Sequence, residues 1–89
     1  MIQGWSGKEA EAIFRGVRPR GVSEEMMRRA RRVLAQLNAA QSIGEMASPP
    51  GNRLHKVGKV WSVSVNMQFR ITFKWGKEGP EGVWFGDYH

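Results

Sequence analysis

Residues 60–75 read VWSVSVNMQFRITFKW, and the alternation in this stretch decides the architecture. Val63 and Val65, then Phe69, Ile71 and Phe73, recur at every second position, the period of a strand with one face buried. Asn66-Met67-Gln68 between them is short enough for a hairpin turn, which pairs Val65 with Phe69, Val63 with Ile71 and Trp61 with Phe73. Immediately upstream, Leu54 to Val57 and Val60 to Val65 flank Gly58-Lys59, a two-residue hairpin turn with glycine first. That turn pairs Val57 with Val60 and His55 with Ser62. One face of the sheet is then apolar, and the other carries His55, Ser62, Ser64, Arg70, Thr72 and Lys74 as an open, basic surface. Downstream, Lys77 to Gly82 reads as a loop and Val83 to Tyr88 as a last strand.

The half before residue 54 has a different period. Ser48-Pro49-Pro50-Gly51-Asn52 is a firm break. Before it, Met26, Ala30, Val33, Leu37 and Ala40 recur at helical spacing, with Met27 and Leu34 widening the stripe. Ser23 is the expected N-cap, Glu24 and Glu25 sit in the first turn, and the helix runs to about Gln41, with an extra turn over Ser42 to Met46. A first helix starts at Ser6, with Glu9 completing a capping box, and carries Ala10, Ile13, Phe14 and Val17. It ends at Gly16, and residues 16–21 connect the two helices. Ile2 to Trp5 reads as a short opening strand. Two helices followed by a strand meander give an α+β fold, with both helices on the apolar face of a small antiparallel sheet.

With 89 residues and no internal repeat, the chain is expected to be one domain over 1–89. Cysteine is absent, which excludes disulfides and thiolate metal sites. Two histidines and eight scattered carboxylates argue against a metal site, so no metal and no cofactor are expected. No apolar run approaches the roughly 20 residues of a membrane helix, and Met1 to Trp5 lacks signal-peptide character. The expectation is a cytoplasmic protein with no membrane association. The formal charge of +6 and pI near 10.6 favour a polyanionic partner, nucleic acid or acidic protein, although many basic domains are merely soluble.

Metal-free RNA cleavage needs a base for the 2′-hydroxyl, a cation for the crowded phosphorane and an acid for the leaving 5′ oxygen. Histidine suits either proton role, because its reference pKa of roughly 6.5 lies near working pH. His55 and Arg70 share the polar face, and Arg70 suits a phosphate. Asp87-Tyr88-His89 combines an imidazole, a carboxylate to orient it and a phenol to bond or stack a base. The competing readings are an ordinary surface histidine and frayed terminal residues. Arg28, Arg29, Arg31 and Arg32 form either a solvated helix face or a secondary phosphate contact. Stacking of a base on Trp84 or Tyr88 stays open, since the facing of the last strand is undecided.

Together, Asn52-Arg53-Leu54-His55, Trp61-Ser62-Val63, Phe69-Arg70-Ile71-Thr72-Phe73 and the ending Asp87-Tyr88-His89 resemble HigB-like toxins of the RelE/ParE superfamily. Leu37-Asn38-Ala39-Ala40, Ile43-Gly44-Glu45-Met46 and Pro49-Pro50-Gly51-Asn52 extend the resemblance to most of the chain. It implies a RelE/ParE-like fold and a type II toxin that cuts mRNA on the ribosome. It also implies a cognate helix-turn-helix antitoxin, contacts to mRNA and ribosomal RNA, and a monomer outside the antitoxin complex. By position it implies a catalytic set of His55, Arg70, Asp87, Tyr88 and His89, with either histidine as base. The turn after His55 is several residues shorter than the family's usual one, so Lys56 and Lys59 are both candidates for its basic RNA contact, with Lys74 beside them. Two rival readings are a gyrase poison of the ParE type and a non-catalytic RNA-binding module.

Overall fold

The computed structural model describes residues 1–87. Its helices are α1 (Glu9–Phe14) and α2 (Glu24–Ala39), followed by 3₁₀ turns at Ile43–Ala47 and Pro50–Asn52. Strands β1 (His55–Val57), β2 (Val60–Ser64), β3 (Phe69–Gly76) and β4 (Gly79–Asp87) form an antiparallel sheet in the order β1-β2-β3-β4. The fold is α+β. No helix among the described residues is long and apolar enough to cross a membrane.

The registers follow from the tight turns. His55 pairs with Ser62 and Val57 with Val60 around Gly58-Lys59, where Gly58 adopts a φ of 60°. Trp61 pairs with Phe73 and Val63 with Ile71, while the Val65 amide bonds the Phe69 carbonyl at 2.9 Å. Asn66 closes that turn with its own side chain, which accepts from the amides of Gln68 (2.8 Å) and Phe69 (2.7 Å). Val63, Ile71, Phe73, Val83 and Phe85 meet Ile13 of α1 and Ala30, Val33, Leu34 and Leu37 of α2 in one core. Phe69 stacks on Phe85 with ring centroids 5.2 Å apart.

Ser23 caps α2 as expected, accepting from the Met26 amide at 3.1 Å. Other local expectations fail for identifiable reasons. Residues 2–5 form an isolated parallel bridge, Trp5 to Val83, rather than a strand. Ser6 does not begin α1, whose N-cap is Lys8 without a side-chain bond. The Ser6 amide is instead held by the Val83 carbonyl at 2.9 Å, and the chain bends through residues 6–8 before the helix starts. Because α1 ends at Phe14, Val17 falls outside its stripe and is exposed. Lys77 to Gly82 is not a loop: β3 and β4 continue to a Gly76–Gly79 pair, leaving Lys77-Glu78 as the turn.

The β3–β4 ladder has one irregularity. Thr72 pairs with Trp84 but Lys74 pairs with Glu81, so Gly82 and Val83 together oppose Phe73. Gly82 takes a φ of 59°, the left-handed conformation of a bulge residue. The bulge shifts alternation by one, and this places Trp84 and Glu81 on the same face of the sheet.

Candidate functional site

His55 opens β1 and is exposed. Its position is set upstream by Asn52, whose side chain is fully buried in a chain that otherwise turns sharply. The Asn52 Nδ2 group lies within bonding distance of the carbonyls of Met46 (3.0 Å) and Ser48 (3.2 Å) and of Gln36 Oε1 (3.1 Å). Its Oδ1 accepts from an Arg32 guanidinium nitrogen at 3.1 Å. Gln36 also donates to the Glu45 and Ser48 carbonyls, at 3.0 and 2.6 Å, so α2 and both 3₁₀ turns are tied to one hub. The chain leaves that hub through Arg53 in the left-handed region (φ 48°). The Arg53 carbonyl lies 2.9 Å from His55 Nδ1. A carbonyl only accepts, so Nδ1 is the donor in this contact and Nε2 is the ring nitrogen left for other partners.

Across the sheet, His55, Ser62, Thr72 and Trp84 form one row of directly paired residues, and Ser64, Arg70 and Gly86 form the next. Arg70 therefore shares the His55 face, two strands away and two residues along, an α-carbon separation of roughly 12 Å from strand geometry. Both side chains are long enough to meet one phosphate between them. Lys74 lies on this face too, and Lys59 at the tip of the β1–β2 turn.

The face is less open than alternation implied. Ser62 is fully buried and Thr72 nearly so, while Ser64 and Arg70 are half-buried. Trp84 is on this side too, opposite Thr72, with its ring over Gly86. Ser62 Oγ is buried without a hydrogen-bond partner among the described residues.

Lys56 does not join His55. It pairs with Trp61 on the helix-packed side, with its ammonium 5.8 Å from the Trp61 ring centroid. Asp87 ends β4 opposite Phe69, and one carboxylate oxygen accepts from Gln68 Nε2 at 2.8 Å. Tyr88 and His89, the rest of the expected catalytic ending, lie outside the described residues. The sequence reading missed Asn52, Gln36 and Gln68. Each is a polar residue in a turn or on a helix, where composition alone does not separate a buried anchor from a solvated side chain.

A family model described as "RelE-like toxin of type II toxin-antitoxin system HigB" matches residues 11–89 of the chain. No curated protein sequence matches it.

Proposed function

The chain belongs to the HigB-like family of RelE-like toxins of type II toxin–antitoxin systems, and from that premise we propose that it is a metal-independent endoribonuclease that cuts mRNA on the ribosome. As a type II toxin it has a cognate antitoxin. We place its action in the cytoplasm, as a single domain over residues 1–89 that is monomeric outside the antitoxin complex and needs no cofactor.

The observation that carries the reading is the orientation of His55. The Arg53 carbonyl holds Nδ1, and Nε2 is left to exchange protons on the face that also bears Arg70. In the proposed reaction a histidine removes the 2′-hydroxyl proton and the 2′ oxygen attacks phosphorus. The bond to the 5′ oxygen breaks, and a second histidine protonates the departing oxygen. Products are a 2′,3′-cyclic phosphate and a 5′ hydroxyl. His55 and His89 supply the two proton roles, Arg70 carries the phosphorane charge, Asp87 orients His89, and Tyr88 holds the base or phosphate. Lys59 and Lys74 add RNA contacts at the rim of the same face.

The test is primer extension on an mRNA in a reconstituted translation reaction, comparing wild type, His55→Ala and His89→Ala. New 5′ ends that require ribosomes and fall by at least about 100-fold in either variant support the proposal. Intact mRNA with a folded wild-type protein would overturn it, and a gyrase assay would then separate the remaining readings.

A further inference from the structure

On the polar face of the sheet, beginning at Thr72, two residues along β3 from Arg70, lies a cleft of about 410 Å³ that the cleavage chemistry leaves unused. Ser6, Val60, Thr72, Lys74, Glu81 and Trp84 line it. We propose that this cleft is a base-specificity site that takes guanine from the RNA strand lying across His55 and Arg70. The proposal rests on the nuclease reading and adds to it the base that the enzyme selects.

The cleft exists because of the bulge. In a regular strand Trp84 and Glu81, three residues apart, would face opposite ways; the extra residue at Gly82-Val83 puts both over the polar face. Two glycines then make room for them. A Cβ at Gly86 would run into the six-membered ring of Trp84, which therefore lies across the backbone there. A Cβ at Gly76 would run into the Glu81 carboxylate, which is folded over the end of β3. Trp84 is half-buried and lines the cleft, a position suited to stacking against a base.

Lys74 and Glu81 stand directly opposite each other and are both exposed, yet no ion pair joins them among the described residues. The cleft lining thus includes one ammonium donor and one carboxylate with two acceptor oxygens. Guanine's Watson–Crick edge is the complement: O6 accepts, and N1–H and the N2 amino group donate side by side. A carboxylate takes those two donors as a fork, as it takes a guanidinium, and lysine donates to O6. Adenine and cytosine offer one amino group on that edge, and uracil a single N–H, so each leaves a carboxylate oxygen without a donor. Along β3, Thr72 at the near end of the cleft lies roughly 7 Å from Arg70, and the Trp84 ring reaches back over Gly86, the residue paired with Arg70.

The test uses 2′-O-methyl pentanucleotides, which lack the attacking hydroxyl, with a central G, A, C or U between uridines. Titration calorimetry on the isolated protein should show the central-G probe binding at least tenfold more tightly than the other three. Glu81→Gln, an exposed and conservative change, should reduce that preference below threefold. Gly86→Ala, which displaces the Trp84 ring, should weaken all four probes at least fivefold. Equal binding of the four probes, or an undiminished preference in Glu81→Gln, would overturn the proposal. Cleavage mapping separates the two claims. A guanine preference in binding without any mRNA cleavage sinks the nuclease reading alone. Cleavage at positions that Glu81→Gln leaves unchanged sinks the base site alone.

Discussion

Replacing Asn52 by alanine tests whether the loop before His55 is held by one buried amide. The Asn52 side chain has no solvent exposure, and its Nδ2 lies near three acceptors while its Oδ1 receives Arg32. The Ser48 carbonyl keeps Gln36 as a donor after truncation, and Gln36 and Arg32 can turn to water. The main loss is at the carbonyl of buried Met46, at about 1–3 kcal/mol for an unsatisfied group. The emptied volume adds about 1 kcal/mol. A loss of about 3 kcal/mol is a large share of the roughly 4–13 kcal/mol expected for a domain of this length. It corresponds to a Tm lower by roughly 12–24 °C. Urea unfolding followed by fluorescence of the four tryptophans reads it as a lower midpoint with an unchanged slope. Asn52→Asp should be at least as harmful at neutral pH, because a carboxylate has no N–H for the Met46 and Ser48 carbonyls. A change below about 1 kcal/mol in the alanine variant would refute the hub. It would also remove the explanation for how His55 is oriented, since the Arg53 carbonyl that holds the ring hangs from this turn.

Three further outcomes follow from the same geometry. Lys56→Ala should change mRNA cleavage by less than about twofold, because its side chain lies with Trp61 on the far side of the sheet; a loss comparable to His55→Ala in the primer-extension assay would refute this. Ser62→Ala removes a buried hydroxyl that has no partner among the described residues, and should raise stability by about 0.5–1 kcal/mol in urea unfolding. Binding of single-stranded 2′-O-methyl RNA should weaken as salt rises, and Lys59→Ala should flatten the log–log slope by about 0.7 if Lys59 meets one phosphate.

The registers of the sheet were legible because two short turns and a period of two leave one arrangement that buries Val63, Ile71 and Phe73 together. Helix α2 was legible from Ser23 and its apolar stripe. The start of α1 was not. Ser6 and Glu9 make a sound capping box on paper, but the Ser6 amide has a better partner in the Val83 carbonyl, a contact with no local signature. The bulge was hidden in the same way. Gly79, Pro80 and Gly82 give the composition of a loop, yet Pro80 sits near the start of β4, where a missing N–H costs the sheet little. Reading that segment as a loop left the facing of Trp84 open and concealed the cleft.

Lys56 is the most instructive case, because the information needed was already in the strand. It follows His55 by one residue, so any regular strand containing both must send them to opposite faces. Counting Lys56 among the RNA contacts near catalytic His55 came from a family pattern in which the turn is longer. A longer turn can carry a lysine back over the histidine's face; the two-residue Gly58-Lys59 turn leaves no slack to do so. Lys59 lies at the tip of that turn. If the chain binds RNA on this face, Lys59 rather than Lys56 is expected to make the contact, and comparing Lys56→Ala with Lys59→Ala in one RNA-binding titration decides between the two positions.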